Sequence, residues 1–340
     1  MRERAAAFSM RLQQYTGAVM AKGLEDTAFY RYFPLVSLNE VGGDPRRFGL
    51  TVEAFHAANS ERRESWPHSL LATSTHDNKR SEDVRARISV LSEIPGAWRR
   101  HVSRWARLNE ACKRQTDGSL APSRNDEYLL NQTLIGAWPL EIPNETAHDE
   151  FVARIEAYML KAVREAKQHT SWINRNPAYE EALSGFVHEI LRRGSPFLDD
   201  FLPFQRWLSR FGLYNSLSQV ALKLTAPGVP DIYQGNELWD FSLVDPDNRR
   251  PVDYSARESA LASLDEAAAP ELLATLEDGR AKLMLTTRLL ALRQRHETLF
   301  RDGDYLPLAS SVAKAEHLCA FARRHGSEAV VTVAPRLYDG

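Results

Sequence analysis

The sequence predicts a mainly α-helical protein with short β segments, and three observations carry that prediction. Stretches between prolines repeat their apolar residues at helical spacing, as in "EYLLNQTLIGAW", "EFVARIEAYMLKAVREAKQ" and "EEALSGFVHEILRR". One stretch, "LLATSTHDNKRSEDVRARI", reads as strand, polar loop and capped helix, a βα unit. Towards the C-terminus the period changes, and β-branched and aromatic residues alternate between turn signals.

Taken in order, residues 5–22 carry Phe8, Leu12, Tyr15 and Val19 at helical spacing, with Gly23 as the expected stop. "EDTAFYRYFPLVSLNEVGGDP" follows, an aromatic-rich loop closed by Gly42-Gly43-Asp44-Pro45. A helix is expected over 51–64, with Thr51 as its cap and Val52, Phe55 and Ala58 on one side. "SLLATSTHD" predicts a buried strand of about five residues ending near Thr75. The Ser81 hydroxyl can then accept from free amides of a first helical turn, and Glu82 and Asp83 stand where the helix dipole favours negative charge. From 84 to 210 the pattern is mostly helical, broken at Pro139, Pro143, Pro177 and Pro196.

A helix over 211–224 leads into "APGVPDIYQGNELWDFSLVDPDNRRPVDY", where Val229, Ile232 and Tyr233 predict a second short strand opening a long loop. Residues 255–275, Ala-rich and acidic, read as a helix or surface connection. "AKLMLTTRLLALRQRHETLF", over 281–300, is the clearest amphipathic helix. After it, "GDYLPL", "HLCAFARRHG" and "AVVTVAP" predict about three antiparallel strands, too few for a stable sheet of their own.

Composition narrows the classes of function. The 340 residues suit about two domains. A hydrophobic share of 43% and a net charge of −2 describe an ordinary globular chain with no basic field to attract nucleic acid or an anionic membrane. No run approaches the ~18 apolar residues of a membrane span. "MRERAAAFSMRLQQY" lacks a signal peptide's apolar block, so a cytoplasmic location is expected. Cys112 and Cys319 lie far apart and read as free thiols, and neither a metal site nor a cofactor is expected. Walker, GxGxxG, HExxH and paired CxxC motifs are absent.

Four clusters could carry chemistry. His76-Asp77 stands at the C-terminal end of a strand, the edge from which (β/α) barrels display catalytic groups; the same pair could equally be a turn residue beside a satisfied histidine. Lys79 and Arg80 could hold a carboxylate ionised, or be solvated loop charges. "KGLEDTAFYRY" mixes Lys22, Glu25, Asp26, Tyr30, Arg31 and Tyr32, hydrogen-bonding groups and flat rings that suit a sugar or a surface segment with tucked-in aromatics. "VDPDNRRPVDY" sets Asp245, Asp247, Arg249, Arg250 and Asp253 close together, to bind hydroxyls or to pair among themselves.

Taken together, "MAKGLEDTAFYRY", "LVSLNEVGGDP", "WPHSLLATSTHDNKRSEDVRARI", "REAKQHTSW" and "PGVPDIYQGNELWDFSLVDPDNRRPVDY" resemble the maltooligosyltrehalose synthase family of the α-amylase superfamily of glycoside hydrolases. The likeness spans most of residues 15–255 and is looser over 280–340. It implies the C-terminal part of a (β/α)8 TIM barrel, with "LLATSTHD" as the seventh strand and "GVPDIYQG" as the eighth. Residues 1–110 would be the later part of the barrel and 111–210 a helical insertion. Residues 211–298 would hold strand eight, a substrate loop and the last helix, and 299–340 the start of an incomplete C-terminal antiparallel β-domain.

The activity so implied is an intramolecular transglycosylation, turning the reducing-end α-1,4 bond of a maltooligosaccharide into α,α-1,1. In a retaining mechanism one carboxylate attacks the anomeric carbon and a second carboxyl protonates the leaving oxygen. By the resemblance, Asp77 is a third carboxylate, a transition-state stabiliser that grips the 2- and 3-hydroxyls, and His76 bonds the same ring. Lys22, Lys79, Tyr30 and Asp245 would line the reducing-end side. The chain departs from the family's His-Asp-Thr-Lys at Asn78, and Phe33-Pro34 replaces a more polar pair.

In the superfamily the nucleophile and acid/base follow strands four and five, upstream of Lys22. "MRERAAAFSMRLQQYTGAVMA" offers no strand and only Glu3 as a carboxylate. The expectation is therefore a fragment without nucleophile or acid/base, inactive alone, partnered by the missing N-terminal half and prone to self-associate through exposed apolar surface. Two other readings compete. One is an α-amylase-type hydrolase or glucanotransferase, against which the "KGLEDTAFYRY" and "LVDPDNRRPVDY" blocks argue. The other is a non-catalytic helical module that binds glycan or a partner.

Overall fold

The computed structural model describes residues 2–116, 118–264, 268–309 and 314–338. Residues 265–267 of the expected 255–275 connection, and Asp339-Gly340 at the end of the expected β-domain, lie outside the described residues. Helices dominate. They are α1 (Arg2–Val19), α2 (Val52–Ser65), α3 (Glu82–Ser89), α4 (Pro95–Leu108), α5 (Arg124–Ala137) and α6 (Glu145–Ala166) in the first half. The second half adds α7 (Pro177–Leu191), α8 (Pro196–Thr225), α9 (Tyr254–Ala262), α10 (Ala269–Ala274), α11 (Arg280–Arg295) and α12 (Glu297–Asp302). The strands are short: β1 (Leu70–Leu71), β2 (Arg114–Thr116), β3 (Ser119–Ala121) and β4 (Val229–Pro230), then β5 (Asp304–Leu308), β6 (Leu318–His325) and β7 (Glu328–Pro335).

The described residues fall into two compact units that interleave along the chain. One comprises 1–46, 96–134 and 141–204, the other 47–95, 135–140 and 205–340. The long helix α8 contributes to both, and Pro203 stands next to the passage, where its missing N–H interrupts the helical ladder.

The first unit is helical apart from the β2–β3 hairpin, which is not among the elements expected from the sequence. Asn144 and Asn176 start α6 and α7 by accepting from Ala147 N at 2.9 Å and Tyr179 N at 3.1 Å, and Pro177 opens α7 where its missing N–H costs nothing. Trp105 is fully buried, with Trp98, Phe197, Phe201 and Phe204 at ring separations of 5.5–5.9 Å. Its indole N–H donates to Asp200 at 2.9 Å, so the one polar edge of the ring is satisfied. The first helix forms where the apolar spacing predicts, but its apolar residues are not buried: Phe8 is 66% exposed and Tyr15 69%, with Leu12 and Val19 also open. Gly23 does not end it. The chain winds on through a π-helical turn at Met20–Glu25, and Asp26 N bonds Ala21 O at 2.9 Å.

The second unit holds the parallel pair β1–β4 and the three-stranded antiparallel sheet β5–β6–β7 that the sequence predicts, turned at Gly326 with φ +59°. Thr51 caps α2, accepting from Ala54 N at 3.1 Å. One core cluster joins Ala226, Tyr305 and Phe321 with Phe55, Leu71 and Leu222. Another joins Leu213, Leu272, Leu276 and Ala281 with Trp239 and Phe241. The helix expected over 281–300 breaks at His296, which divides α11 from α12.

The expected five-residue buried strand is a correction. Only Leu70 and Leu71 are strand, and Leu70 is 74% exposed. The reason lies in α3. Arg85 donates to the Thr73 carbonyl, the Thr73 hydroxyl donates to Glu82, and the Ser74 hydroxyl accepts from Glu82 N at 2.8 Å. The polar groups of Thr73 and Ser74 thus bond the following helix rather than a neighbouring strand.

Candidate active site

The site is built where the second unit's two parallel strands end. Leu70 lies opposite Val229 and Leu71 opposite Pro230, and the ladder bonds Val229 N–Ser69 O and Asp231 N–Leu71 O are both 2.9 Å. Beyond β1 the chain makes a tight turn at His76-Asp77 and enters α3, where the Ser81 hydroxyl accepts from Val84 N at 3.4 Å. His76 and Asp77 are both exposed at this turn. The Asp77 amide donates to the Thr75 hydroxyl at 3.2 Å, and Asn78 N to the Thr75 carbonyl at 3.4 Å.

The loop after β4 grips that turn. Asn248 Nδ2 donates to the His76 carbonyl at 3.0 Å and to the Thr75 carbonyl at 3.4 Å. The Tyr233 hydroxyl donates to the Asn248 carbonyl at 3.2 Å. Further on, Arg80 bridges Leu243, Ser81 N donates to the Ser242 carbonyl at 3.0 Å, and the Ser81 hydroxyl donates to the Asp240 carbonyl. The loop is stiffened from within, since Asp247 accepts from Leu243 N at 2.8 Å and pairs with Arg250 at 3.0 Å. A cavity of about 160 Å³ sits in it, lined among others by Asp240, Ser242, Asp247, Asn248 and Arg257.

Behind the turn lies a closed ionic cluster. Lys282 bonds Asp83 and Glu82, each at 2.8 Å, and Lys223 reaches Glu82 at 3.3 Å and the Thr73 hydroxyl at 2.7 Å. Burial pushes the Glu82 carboxyl up, but the two lysines outweigh it and bring it down to about 2. Burial also raises Asp83, which stays above the usual carboxylate range despite Lys282. Glu82 and Asp83 stand in the first turn of α3 as expected, and they are also the anionic half of this cluster. Sequence could not pair them with Lys223 and Lys282, which come from α8 and α11. Arg87, one turn on, is fully buried and pulled down to about 9 by burial, yet still charged at neutral pH. It donates to the carbonyls of Gly136 and Trp138 at 3.1 and 2.6 Å and lies 3.5 Å over the Phe241 ring.

Of the residues singled out from sequence, His76, Asp77 and Lys79 share one turn, and Asp245 lies half-buried on the loop that grips it, at a cis peptide to Pro246. Lys79 is buried, 5% exposed, and faces inward rather than to solvent. Lys22 and Tyr30 belong to the other unit. Lys22 extends into solvent and pairs with Asp26 at 2.5 Å, while Tyr30 is buried in a 3-10 turn. That segment is anchored by Asn39 Nδ2, which donates to the Phe29 and Tyr32 carbonyls at 2.8 Å. Asn248 and Tyr233 were missed as site residues; the only sequence signal for them was the polar density of the loop itself. Among the described residues no group of His, Cys, Asp or Glu is placed to hold a metal ion, and no helix is long and apolar enough to cross a membrane.

Polar side chains on strand-end loops, knit together over a parallel strand pair, occupy the edge on which α/β proteins place their chemistry. Comparison with known proteins narrows the likeness. A relative from Mycobacterium tuberculosis (strain ATCC 25618 / H37Rv), provisionally named maltooligosyl trehalose synthase, is 40% identical over 325 residues, 96% of this chain and 38% of its own. The solved structure of maltooligosyltrehalose synthase from Arthrobacter ramosus matches with a TM-score of 0.83 at 41% identity, over 97% of this chain and 40% of that one. A crystal structure of maltooligosyl trehalose synthase gives 0.84 at 40% identity, over 94% and 42%. No family model matches the chain. Over nearly its whole length the chain matches part of the maltooligosyl trehalose synthases, and it spans about two fifths of the length of the relatives it matches.

Proposed function

We propose that this chain supplies the sugar-gripping part of a maltooligosyl trehalose synthase, an α-amylase-superfamily (β/α)8 enzyme working on soluble glucan in the cytoplasm. The observation that carries the reading is the His76-Asp77 turn: exposed, at the C-terminal end of one of two parallel strands, and held by the loop from the end of the other. β1 and β4 are read as the seventh and eighth barrel strands.

In the proposed reaction a nucleophile and an acid/base from outside these 340 residues cleave the reducing-end α-1,4 bond with retention. Asp77, as an exposed carboxylate, accepts hydrogen bonds from the 2- and 3-hydroxyls of the ring that carries the oxocarbenium-like charge. His76 bonds the same ring. Such bonds lower the barrier to the extent that they tighten in the transition state. Asp245 lines the reducing-end side, where the freed glucose turns over before its anomeric hydroxyl re-attacks. Lys79, being buried, acts there through its charge beneath the turn rather than by touching sugar.

The test uses a full-length synthase that carries this chain as its corresponding segment, incubated with maltopentaose. Loss of reducing ends with a trehalose-capped product is expected, and Asp77→Asn should lower kcat by about a hundredfold or more, the scale of losing one transition-state contact. A gain of reducing ends would overturn the reading in favour of a hydrolase. Conversion by the 340 residues alone would place the missing carboxylates within this chain.

A further inference from the structure

The peptide unit between His76 and Asp77 is tied at both of its polar atoms. Its carbonyl, belonging to His76, accepts from Asn248 Nδ2 at 3.0 Å, and its N–H, belonging to Asp77, donates to the Thr75 hydroxyl at 3.2 Å. A peptide unit is planar, so fixing its two ends fixes the plane, and with it the directions in which the flanking side chains leave the backbone. Both of those side chains are exposed, so packing does little to aim them; the backbone must.

Asn248 is built for this task. It is buried, and its amide nitrogen spans two consecutive carbonyls, those of Thr75 and His76. An amide supplies two N–H donors without charge, which no carboxylate or hydroxyl side chain can do. Its own backbone is held in turn, since the Tyr233 hydroxyl reaches the Asn248 carbonyl at 3.2 Å, and Tyr233 lies three residues past Pro230, the last residue of β4. The chain of bonds therefore runs from the end of one parallel strand, through Tyr233 and Asn248, to the turn at the end of the other.

We propose that Asn248, with Thr75, is a positioning residue that sets the orientation of His76 and Asp77; its catalytic consequence rests on the synthase reading above. Asn248 does not touch the sugar in this proposal. It acts through Asp77, and misplacement of a reacting or stabilising group by about 1 Å is worth up to ~100-fold in rate.

The experiment has two arms. In the first, Asn248→Asp, which keeps the shape but loses the donors, and Thr75→Val, which loses the hydroxyl, are compared with the wild-type 340-residue chain by hydrogen–deuterium exchange. Faster exchange over residues 73–79, with α11 unchanged, is expected; unchanged exchange at the turn overturns the proposal, whatever the protein's activity. In the second arm the same substitutions are placed in the full-length synthase. Asn248→Asp and Thr75→Val should lower kcat by about tenfold or more with KM nearly unchanged, and Thr75→Ser should restore it. Asn248→Asp should add little to Asp77→Asn, because one acts through the other. Equal losses in both backgrounds would mark a merely structural residue and overturn the proposal. Should wild-type synthase fail to make a trehalose-capped product, the synthase reading falls, and the exchange arm still decides the role of Asn248.

Discussion

The ammonium of Lys282 lies 2.8 Å from the carboxylate of Asp83, and both side chains are entirely closed off from water. The lysine comes from α11 and the aspartate from the first turn of α3, so one buried pair ties the helix that follows the His76-Asp77 turn to the far end of the sequence. Lys282 also bonds Glu82 at 2.8 Å and the Leu238 carbonyl at 3.3 Å. Lys282→Met keeps much of the volume but leaves two enclosed carboxylates with one remaining ammonium, that of Lys223. Breaking a buried pair in this way costs about 3–5 kcal/mol, and the urea midpoint of the variant should fall accordingly. A midpoint equal to the wild type would mean that water already reaches the cluster.

The cluster also fixes how stability answers to acid. Glu82 is held at about 2 against an ordinary 4.5, because Lys282 and Lys223 outweigh the effect of burial. A depressed carboxyl contributes stability that is complete above the unfolded value and is lost as pH falls through the folded one, here between 4.5 and 2. Asp83 has the opposite sign: burial raises it, so the folded state takes up its proton first and acidification relieves it. Glu82→Gln should therefore lower stability at neutral pH yet flatten its fall over the acid range, while Asp83→Asn should steepen that fall. Urea titrations across the range settle both slopes.

Much of the fold was legible because its local signals are strong. Thr51 and Ser81 cap the helices they precede, Pro177 opens α7, and the alternation after residue 303 becomes the β5–β6–β7 sheet. What could not be read is what depends on partners far along the chain. "LLATSTHD" has a strand's composition, but after two residues Arg85 takes the Thr73 carbonyl and Glu82 engages the Thr73 and Ser74 hydroxyls. The His76-Asp77 pair was visible as adjacent letters; Asn248, which holds the peptide between them, is 172 positions away from His76. Glu82 and Asp83 looked like ordinary first-turn acids because nothing local announces Lys223 or Lys282.

A second acid-sensitive group sits by the C-terminal sheet. His56 Nδ1 lies 2.7 Å from the Tyr305 hydroxyl, and burial lowers the pKa of the imidazole against an opposing pull from Glu53. The fold thus disfavours the protonated imidazole, and the unfolded chain takes up that proton more readily around its ordinary 6.5, so acidification through that value favours unfolding. His56→Gln should flatten the fall in Tm below that pH. Tyr305→Phe should cost about 1 kcal/mol at neutral pH, the net worth of a typical buried hydrogen bond. A Tm slope unchanged by His56→Gln would show that the imidazole is hydrated in the folded chain.

Gly212 in α8 owes its identity to Arg87. A Cβ there would collide with Arg87 Cγ and stand 2.8 Å from Arg87 Cα, and the second of these belongs to the backbone of α3 and cannot swing aside. Alanine would gain about 1 kcal/mol of helix propensity, but overpacking of this kind costs about 1–3 kcal/mol. Gly212→Ala should therefore destabilise on balance, while Gly17→Ala, with nothing within 4 Å of its Cβ, should stabilise slightly. Thermal unfolding of the two variants side by side checks the sign of each.

The first helix exposes the face that its own sequence marks as apolar. Phe8, Leu12, Tyr15 and Val19 recur at helical spacing and are all open to solvent, as is Met20 beyond them. A row of this kind favours association, since each large side chain taken out of water is worth about 1.5–3 kcal/mol. The chain should therefore show a weight-average mass that rises with concentration above its 38.5 kDa in light scattering. Replacing Phe8, Leu12 and Tyr15 together by Gln, which keeps helix propensity, should return it towards the single-chain mass. If the wild type stays at one chain's mass at every concentration, α1 is not an adhesive face. If the triple variant associates as strongly as the wild type, the contact lies elsewhere, and Leu70, exposed on β1, is the next residue to change.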